Sequence, residues 1–143
     1  MSNINFFFED IEAIHLPTSA LIDWLEHTSE AENHTISNLN YILCSDEHLY
    51  NINVEYLNHS YYTDVITFDN SEESSKIEGD IFISIERISE NARSIGVSQL
   101  HELRRVLVHG LLHLLGYNDK TPEEKDVMTE KENAFLSLPQ FQF

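Results

Sequence analysis

Val106-Leu107-Val108-His109-Gly110-Leu111-Leu112-His113-Leu114-Leu115-Gly116-Tyr117-Asn118-Asp119 is the stretch on which the fold turns. Its apolar residues cover a helix on nearly every side, and a helix that is hydrophobic all round has to be buried. Ser98 supplies an N-cap, and Gly116 is a residue able to take the left-handed conformation that ends a helix. The spacing therefore predicts a helix over Ser98–Leu115. Into this buried rod the sequence places two imidazoles. His109 and His113 lie one helical turn apart, so their side chains share a face at about 6 Å between Cβ atoms.

Such a pair arises by chance often enough that the spacing alone is a weak signal, and hydrogen-bonded core imidazoles are the bland alternative. The surroundings point further. Ring nitrogens carried into apolar surroundings need partners, which a metal ion and hydrogen-bond acceptors behind the rings would supply. Gly116 lets the chain fold back, and Asp119 is within reach of the same ion, since six residues span up to about 20 Å. His109, His113 and Asp119 make a three-ligand set with a fourth tetrahedral position left for water, the pattern of a catalytic zinc rather than a structural one. One Zn2+ per chain is expected. A zinc ion lowers the pKa of its water toward about 7 and polarises the oxygen under attack, so the expected chemistry is hydrolytic. Gly110 stands where zinc peptidases of the His-Glu-x-x-His type carry their general base, which argues against a protease of that type. Two histidines and a carboxylate also serve Fe(II) oxygenases, yet ligands one helical turn apart suit zinc hydrolases better.

Working outward, Asn5–Phe8 and Asn38–Cys44 run apolar or alternate as strands do. Between them, Pro17–Glu32 carries Ala20, Leu21, Trp24 and Leu25 at helical spacing. Ser45 reads as the N-cap of a helix carrying Leu49, Ile52, Val54 and Leu57, with Asp46 and Glu47 in its positive first turn. Asn58–Tyr62 follows as a loop. Asp64–Phe68 and Asp80–Ile85 are two further strands, joined as a hairpin through the polar stretch Asp69–Glu78. Ile88, Ala92 and Ile95 then mark one face of a helix closed by Gly96. Thr121-Pro122-Glu123-Glu124 is a capping box with proline at the first helical position, opening a last helix that runs to about Leu136. Mixed strands followed by clustered helices predict an α/β (α+β) layer fold, with the apolar helix against the sheet and the charged last helix outside it.

The 143 residues are expected to form one domain, 1–143, with 41% hydrophobic and 10% aromatic residues. A chain of this size buries roughly 70% of its unfolded surface, so no metal is needed merely to hold it together. Cys44 is the only cysteine and follows Tyr41, Ile42 and Leu43, which predicts a buried, reduced thiol and favours the cytosol. Glu9, Asp10 and Glu12 are wrong for a signal peptide, and the apolar run Val106–Gly116 is too short to span a bilayer. A soluble cytoplasmic protein without a membrane partner is the expectation.

The net charge is −17 and unevenly placed: residues 1–75 hold 14 Asp/Glu and no Lys or Arg, whereas residues 76–143 hold 11 acids and 8 bases. Most of these carboxylates read as a solvated surface. Phosphate contacts depend on Lys and Arg, so general affinity for polyanions is excluded and any role on nucleic acid must be local.

The string from His109 to Asp119 resembles the metal-binding signature of the YbeY family of bacterial endoribonucleases and rRNA maturation factors. Similarity extends upstream through Leu57-Asn58, Thr63-Asp64-Val65-Ile66-Thr67-Phe68 and Gly79-Asp80-Ile81, and downstream through Glu123-Glu124, Met128 and Glu132. The resemblance implies a small mixed four-stranded sheet flanked by helices, with the metal site at the buried helix. It also implies a cytoplasmic, zinc-dependent, single-strand-specific endoribonuclease in 16S rRNA 3′-end maturation and ribosome quality control, with rRNA of the small ribosomal subunit as partner. By position, His109 and His113 match the first two ligands of that signature. Asp119 stands where the family usually has a third histidine, and Asn118 where it usually has aspartate. A carboxylate would leave the ligated ion near about +1 rather than +2, a weaker Lewis acid. The family's loop before Thr63 usually carries an arginine, whereas His59-Ser60-Tyr61-Tyr62 carries none. Arg104, Arg105 and Lys120 are the substitutes near the motif in sequence that could stabilise a phosphate. Among the remaining histidines, His59 and His101 are the two expected to support the site. The competing expectations are a ribosome-assembly binding factor with a structural metal and little nuclease activity, and a metallohydrolase acting on peptides or small molecules.

Overall fold

A computed structural model describes residues 3–143. The chain runs β1 (Ile4–Glu9), α1 (Thr18–Ala31), β2 (Thr35–Cys44), α2 (Asp46–Leu57), β3 (Val65–Asp69), β4 (Lys76–Ser84), α3 (Ile85–Ile95), α4 (Gln99–Leu114) and α5 (Pro122–Leu136), followed by a short 3-10 turn at Pro139–Phe141. The sheet order is β1-β2-β4-β3. β1 and β4 both run parallel to β2, while β3 pairs antiparallel to β4 as the second arm of the expected hairpin. The α/β class and the four-stranded mixed sheet are therefore as the sequence implied.

Strand alternation sorts the side chains between two layers. Ile4, Leu39, Tyr41, Leu43, Ile81 and Ile83 face the larger core, into which α1, α3, α4 and α5 press Trp24, Leu25, Ile88, Leu107, Leu111 and Phe135. On the opposite face α2 covers a smaller cluster of Cys44, Leu49, Ile52 and Ile66. Cys44 is fully buried as expected, and burial, followed by the nearby Asp10, Asp46 and Glu9, pushes its thiol up to about 12.

Helix starts follow their caps. The hydroxyls of Ser45, Ser84 and Ser98 accept from the N–H groups of His48, Arg87 and His101, and Thr121 and Glu124 form the reciprocal capping box. Three details depart from the sequence expectation. β2 begins at Thr35, and β4 begins at Lys76 rather than Asp80, so part of the polar stretch Asp69–Glu78 is strand. The pairing of Thr35 with Lys76 and Ile36 with Ile77 extends the ladder through residues whose polarity reads as loop. Val54, Leu57 and Ile95 are exposed rather than packed, because the last turns of α2 and α3 project past the cores.

The apolar helix lies against the sheet. Gly110 sits so close to β4 that a Cβ there would fall 2.9 Å from Ile81 Cδ1. The buried Tyr41 hydroxyl donates to Leu107 O at 2.9 Å, tying the turn below His109 to β2. Trp24 Nε1 donates to Phe135 O at 2.9 Å and ties α1 to α5. Among the described residues no helix is long and apolar enough to cross a membrane.

Candidate metal centre

α4 presents His109 and His113 on one face, and the chain then turns back. Tyr117 N–H donates to Leu112 O, Gly116 takes φ 106°, and Asp119 arrives beside both rings. His109 Nε2, His113 Nε2 and Asp119 Oδ2 form a nearly equilateral triangle with sides of 3.1, 3.4 and 3.3 Å. Ligand atoms of a four-coordinate divalent ion held at 2.0–2.1 Å lie about 3.3 Å apart. The separations fit.

Proton positions make the same case by chemistry. His113 Nδ1 lies 2.9 Å from Tyr117 O, a carbonyl that can only accept, so this nitrogen carries the hydrogen. His109 Nδ1 lies 2.7 Å from Glu132 Oε2, a carboxylate that also accepts from Arg105 at 3.2 Å, so this nitrogen too faces an acceptor and carries its hydrogen. With the hydrogen on Nδ1, the neutral form of each ring presents Nε2 as a bare lone pair. Two lone pairs and a carboxylate oxygen directed at one point repel one another unless a cation sits among them. The cluster is thus one that could hold a metal ion.

Support behind the ligands comes from buried charge. Glu132 is 5% and Glu102 0% exposed, and Arg105 bridges the two carboxylates. An Arg between two buried acids leaves neither carboxylate without a charged partner. Arg105 is held through both neighbouring hydrogen bonds and Coulomb attraction, which outweigh the effect of burial and raise its pKa above the ordinary guanidinium value. The bend holding Asp119 is anchored by Tyr117, whose hydroxyl donates to Glu32, which in turn accepts from Lys131 Nζ at 2.9 Å. Burial pushes the Glu32 carboxyl up, but the hydrogen bonds from Tyr117 and Lys131 outweigh it and its pKa falls below the usual carboxylate value.

The expected trio is therefore assembled, and the supporting residues are redistributed. His59 lines the same cleft as the three ligand atoms. His101 is exposed at the opposite end of α4, near its N-cap, where it plays no part. Arg104 points into a different neighbourhood. Its guanidinium lies 4.5 Å from the Trp24 ring and 4.1 Å from the Phe143 ring, and donates to Phe141 O at 2.7 Å. Being i+1 to Leu103 and i−5 to His109, it leaves α4 on another face. Arg105 reaches the site only through Glu132, and neither it nor Lys120 lines the cleft. Glu132 as the partner of His109 was not legible from spacing, because it comes from another helix. Its near-complete burial is the signal, and burial is a tertiary quantity.

The cleft has a volume of about 540 Å³ and opens between α4, the end of α2 and β3, within the about 300–1,000 Å³ usual for ligand sites. Asp64, Asp69 and Asp119 line it, and among the described residues no Lys or Arg does.

The sequence model of the family described as Endoribonuclease YbeY matches residues 8–139. The protein named Endoribonuclease YbeY from Cytophaga hutchinsonii is 51% identical over 138 residues, covering 96% of this chain and 96% of that protein. Its namesake from Amoebophilus asiaticus is 46% identical over 94% of this chain and 92% of its own length. The solution structure of a Thermotoga maritima protein matches with a TM-score of 0.65 at 26% identity, over 95% of this chain and 87% of that one. The matched residues include the end of β1, all of β2, β3 and β4 and the three candidate ligands His109, His113 and Asp119, and the chain belongs to the YbeY family.

Proposed function

We propose that the protein is a zinc-dependent endoribonuclease that cuts single-stranded RNA and acts in 16S rRNA 3′-end maturation and ribosome quality control. The observation that carries the metal part is the triangle of His109 Nε2, His113 Nε2 and Asp119 Oδ2, whose sides suit a tetrahedral ion. The RNA part rests on family membership and on relatives named as endoribonucleases. The N2O donor set, to which the described residues add no fourth ligand, suits zinc among divalent ions.

Bound there, zinc supplies Lewis acidity toward a phosphoryl oxygen and lowers the pKa of water toward about 7. The protein's own part is orientation. Glu132 fixes the tautomer and rotation of His109, the Tyr117 carbonyl does the same for His113, and the Gly116 bend delivers Asp119. Gly110 leaves no carboxylate beside His109, and its contact with Ile81 leaves no room for one.

His113→Ala is expected to remove both zinc, read by elemental analysis, and cleavage of single-stranded RNA. A metal-free variant with full activity would overturn the proposal. Asp119→Ala, assayed on rRNA with metal content measured alongside, is expected to lower both together.

A second function class is favoured by one specific observation, the cleft without Lys or Arg: a ribosome-assembly binding factor whose metal is structural. Zinc-loaded protein that binds small ribosomal subunits and cuts no RNA would select it.

A further inference from the structure

The loop between α2 and β3 fixes two aromatic side chains at the mouth of the cleft. Asn58 takes a left-handed conformation, φ 57°, at the end of α2. His59 N–H then donates to Asn53 O at 3.1 Å, and Asn53 Nδ2 donates to Tyr61 O at 2.9 Å. Asn53 is buried, so the loop is pinned to the helix at two points. The result is a stack: the His59 and Tyr61 rings lie 5.2 Å apart at 19° between planes, and the Tyr61 hydroxyl and His59 Nδ1 are hydrogen-bonded at 3.0 Å. Both residues line the cleft that holds the ligand triangle, and Tyr61 is 55% exposed. The next ring, Tyr62, is committed elsewhere, stacked at 4.4 Å on Tyr50 with its hydroxyl donating to Glu47.

Charge decides what this pair can hold. Three aspartates and, among the described residues, no Lys or Arg line the cleft, so a phosphate backbone finds no side-chain ion-pair partner there. Stacking on an aromatic face needs no charge and accepts any base. We propose that the His59–Tyr61 stack is a nucleobase platform, on which an unpaired base next to the bond to be cut lies against the exposed face of the pair. A base within a duplex has both faces covered, so the platform makes the site selective for single strands. The inference rests on the endoribonuclease reading for its substrate class, and it adds the means by which an acidic site holds RNA.

The test uses zinc-loaded wild-type protein and Tyr61→Ala, with zinc content measured in both. Single-stranded oligoribonucleotides carry an abasic residue at one position after another, and a parallel set carries 2-aminopurine, whose fluorescence is read on rapid mixing before cleavage. In wild type, one abasic position is expected to raise KM by about 5- to 150-fold, the effect of losing one stacked base. The same position is expected to cost Tyr61→Ala nothing further, and 2-aminopurine there is expected to be quenched by wild type and not by the variant. Losses that multiply independently, or a Tyr61→Ala defect traced to lost zinc, would overturn the platform. Loaded wild type that quenches 2-aminopurine through Tyr61 yet cuts no RNA would sink the endoribonuclease reading and leave the platform standing.

Discussion

His109 Nδ1–H donates to Glu132 Oε2 at 2.7 Å, and Glu132 also accepts from Arg105, which donates in turn to Glu102. Each link sets the one before it: the guanidinium positions Glu132, the carboxylate fixes the ring, and the ring aims Nε2 at Asp119. Outer partners of this kind typically contribute 10–100-fold to metal affinity. Glu132→Gln is accordingly expected to weaken zinc binding by about 10–100-fold, measured by competition with a chromophoric chelator. Unchanged affinity would show that His109 is oriented without this residue. A neighbouring carboxylate acts on stability instead. Glu32 has a pKa below its ordinary 4.5 in the folded chain, so the stability it contributes is present above that value and lost as pH falls through the lower folded one. Lys131, raised above its ordinary 10.5 chiefly by its hydrogen bond to Glu32, contributes below that value and loses its share as pH rises through the higher folded one. Glu32→Gln is expected to lower the urea midpoint at pH 7, with the gap to wild type closing as the solution is acidified well below 4.5. A gap independent of pH would contradict the ion-pair account.

At the scale of elements, α4 is held to the sheet at a distance that only glycine allows. A Cβ at Gly110 would meet Ile81 Cδ1 at 2.9 Å and Cγ2 at 3.0 Å. Both belong to a buried strand residue with little freedom to withdraw, so Gly110→Ala is expected to destabilise by about 1–3 kcal/mol in urea denaturation, the cost of overpacking a filled core. Because His109 is the adjacent residue, the same shift should disturb the ligand triangle, and zinc content should fall with stability. α5 carries Glu132 to the site and depends on its start. Thr121 accepts from Glu124 N–H while the Glu124 carboxylate accepts from Thr121 N–H. Thr121→Ala is expected to cost about 1 kcal/mol. Circular dichroism in urea would detect it, and a loss near zero would mean that packing of Met128 and Phe135 alone defines the helix.

The whole molecule carries a net charge of −17. Like charges at this density repel within the compact state, and salt screens them over about 10 Å at 0.1 M. The melting midpoint is therefore expected to rise with sodium chloride, in a chelator-free buffer with zinc content held constant; a falling midpoint would show that local ion pairs such as Arg87 with Asp46 outweigh the general repulsion. The same acidity shows in the cleft, which among the described residues is lined by three aspartates and by no Lys or Arg. A chain with no Lys or Arg before residue 76 supplies cations only from its second half, and there Arg104 and Arg105 are spent on the Trp24–Phe143 sandwich and on the Glu102–Glu132 pair.

By itself the sequence determined the helices and their caps, the buried character of α4, the hairpin and the trio His109, His113 and Asp119, because each depends on neighbours within a few residues along the chain. It misplaced the starts of β2 and β4, where a long-range ladder lends order to polar residues, and the helical periodicity of Val54, Leu57 and Ile95 does not reveal that they lie where a helix outruns its partner layer. Which groups stand behind the three candidate ligands depends on packing between elements far apart in the chain. Glu132 arrives from α5, the loop of His59 and Tyr61 from the end of α2, and Arg104 leaves for the C-terminal aromatics, each direction being set by how separate elements pack and by where burial forces a charge to find its partner.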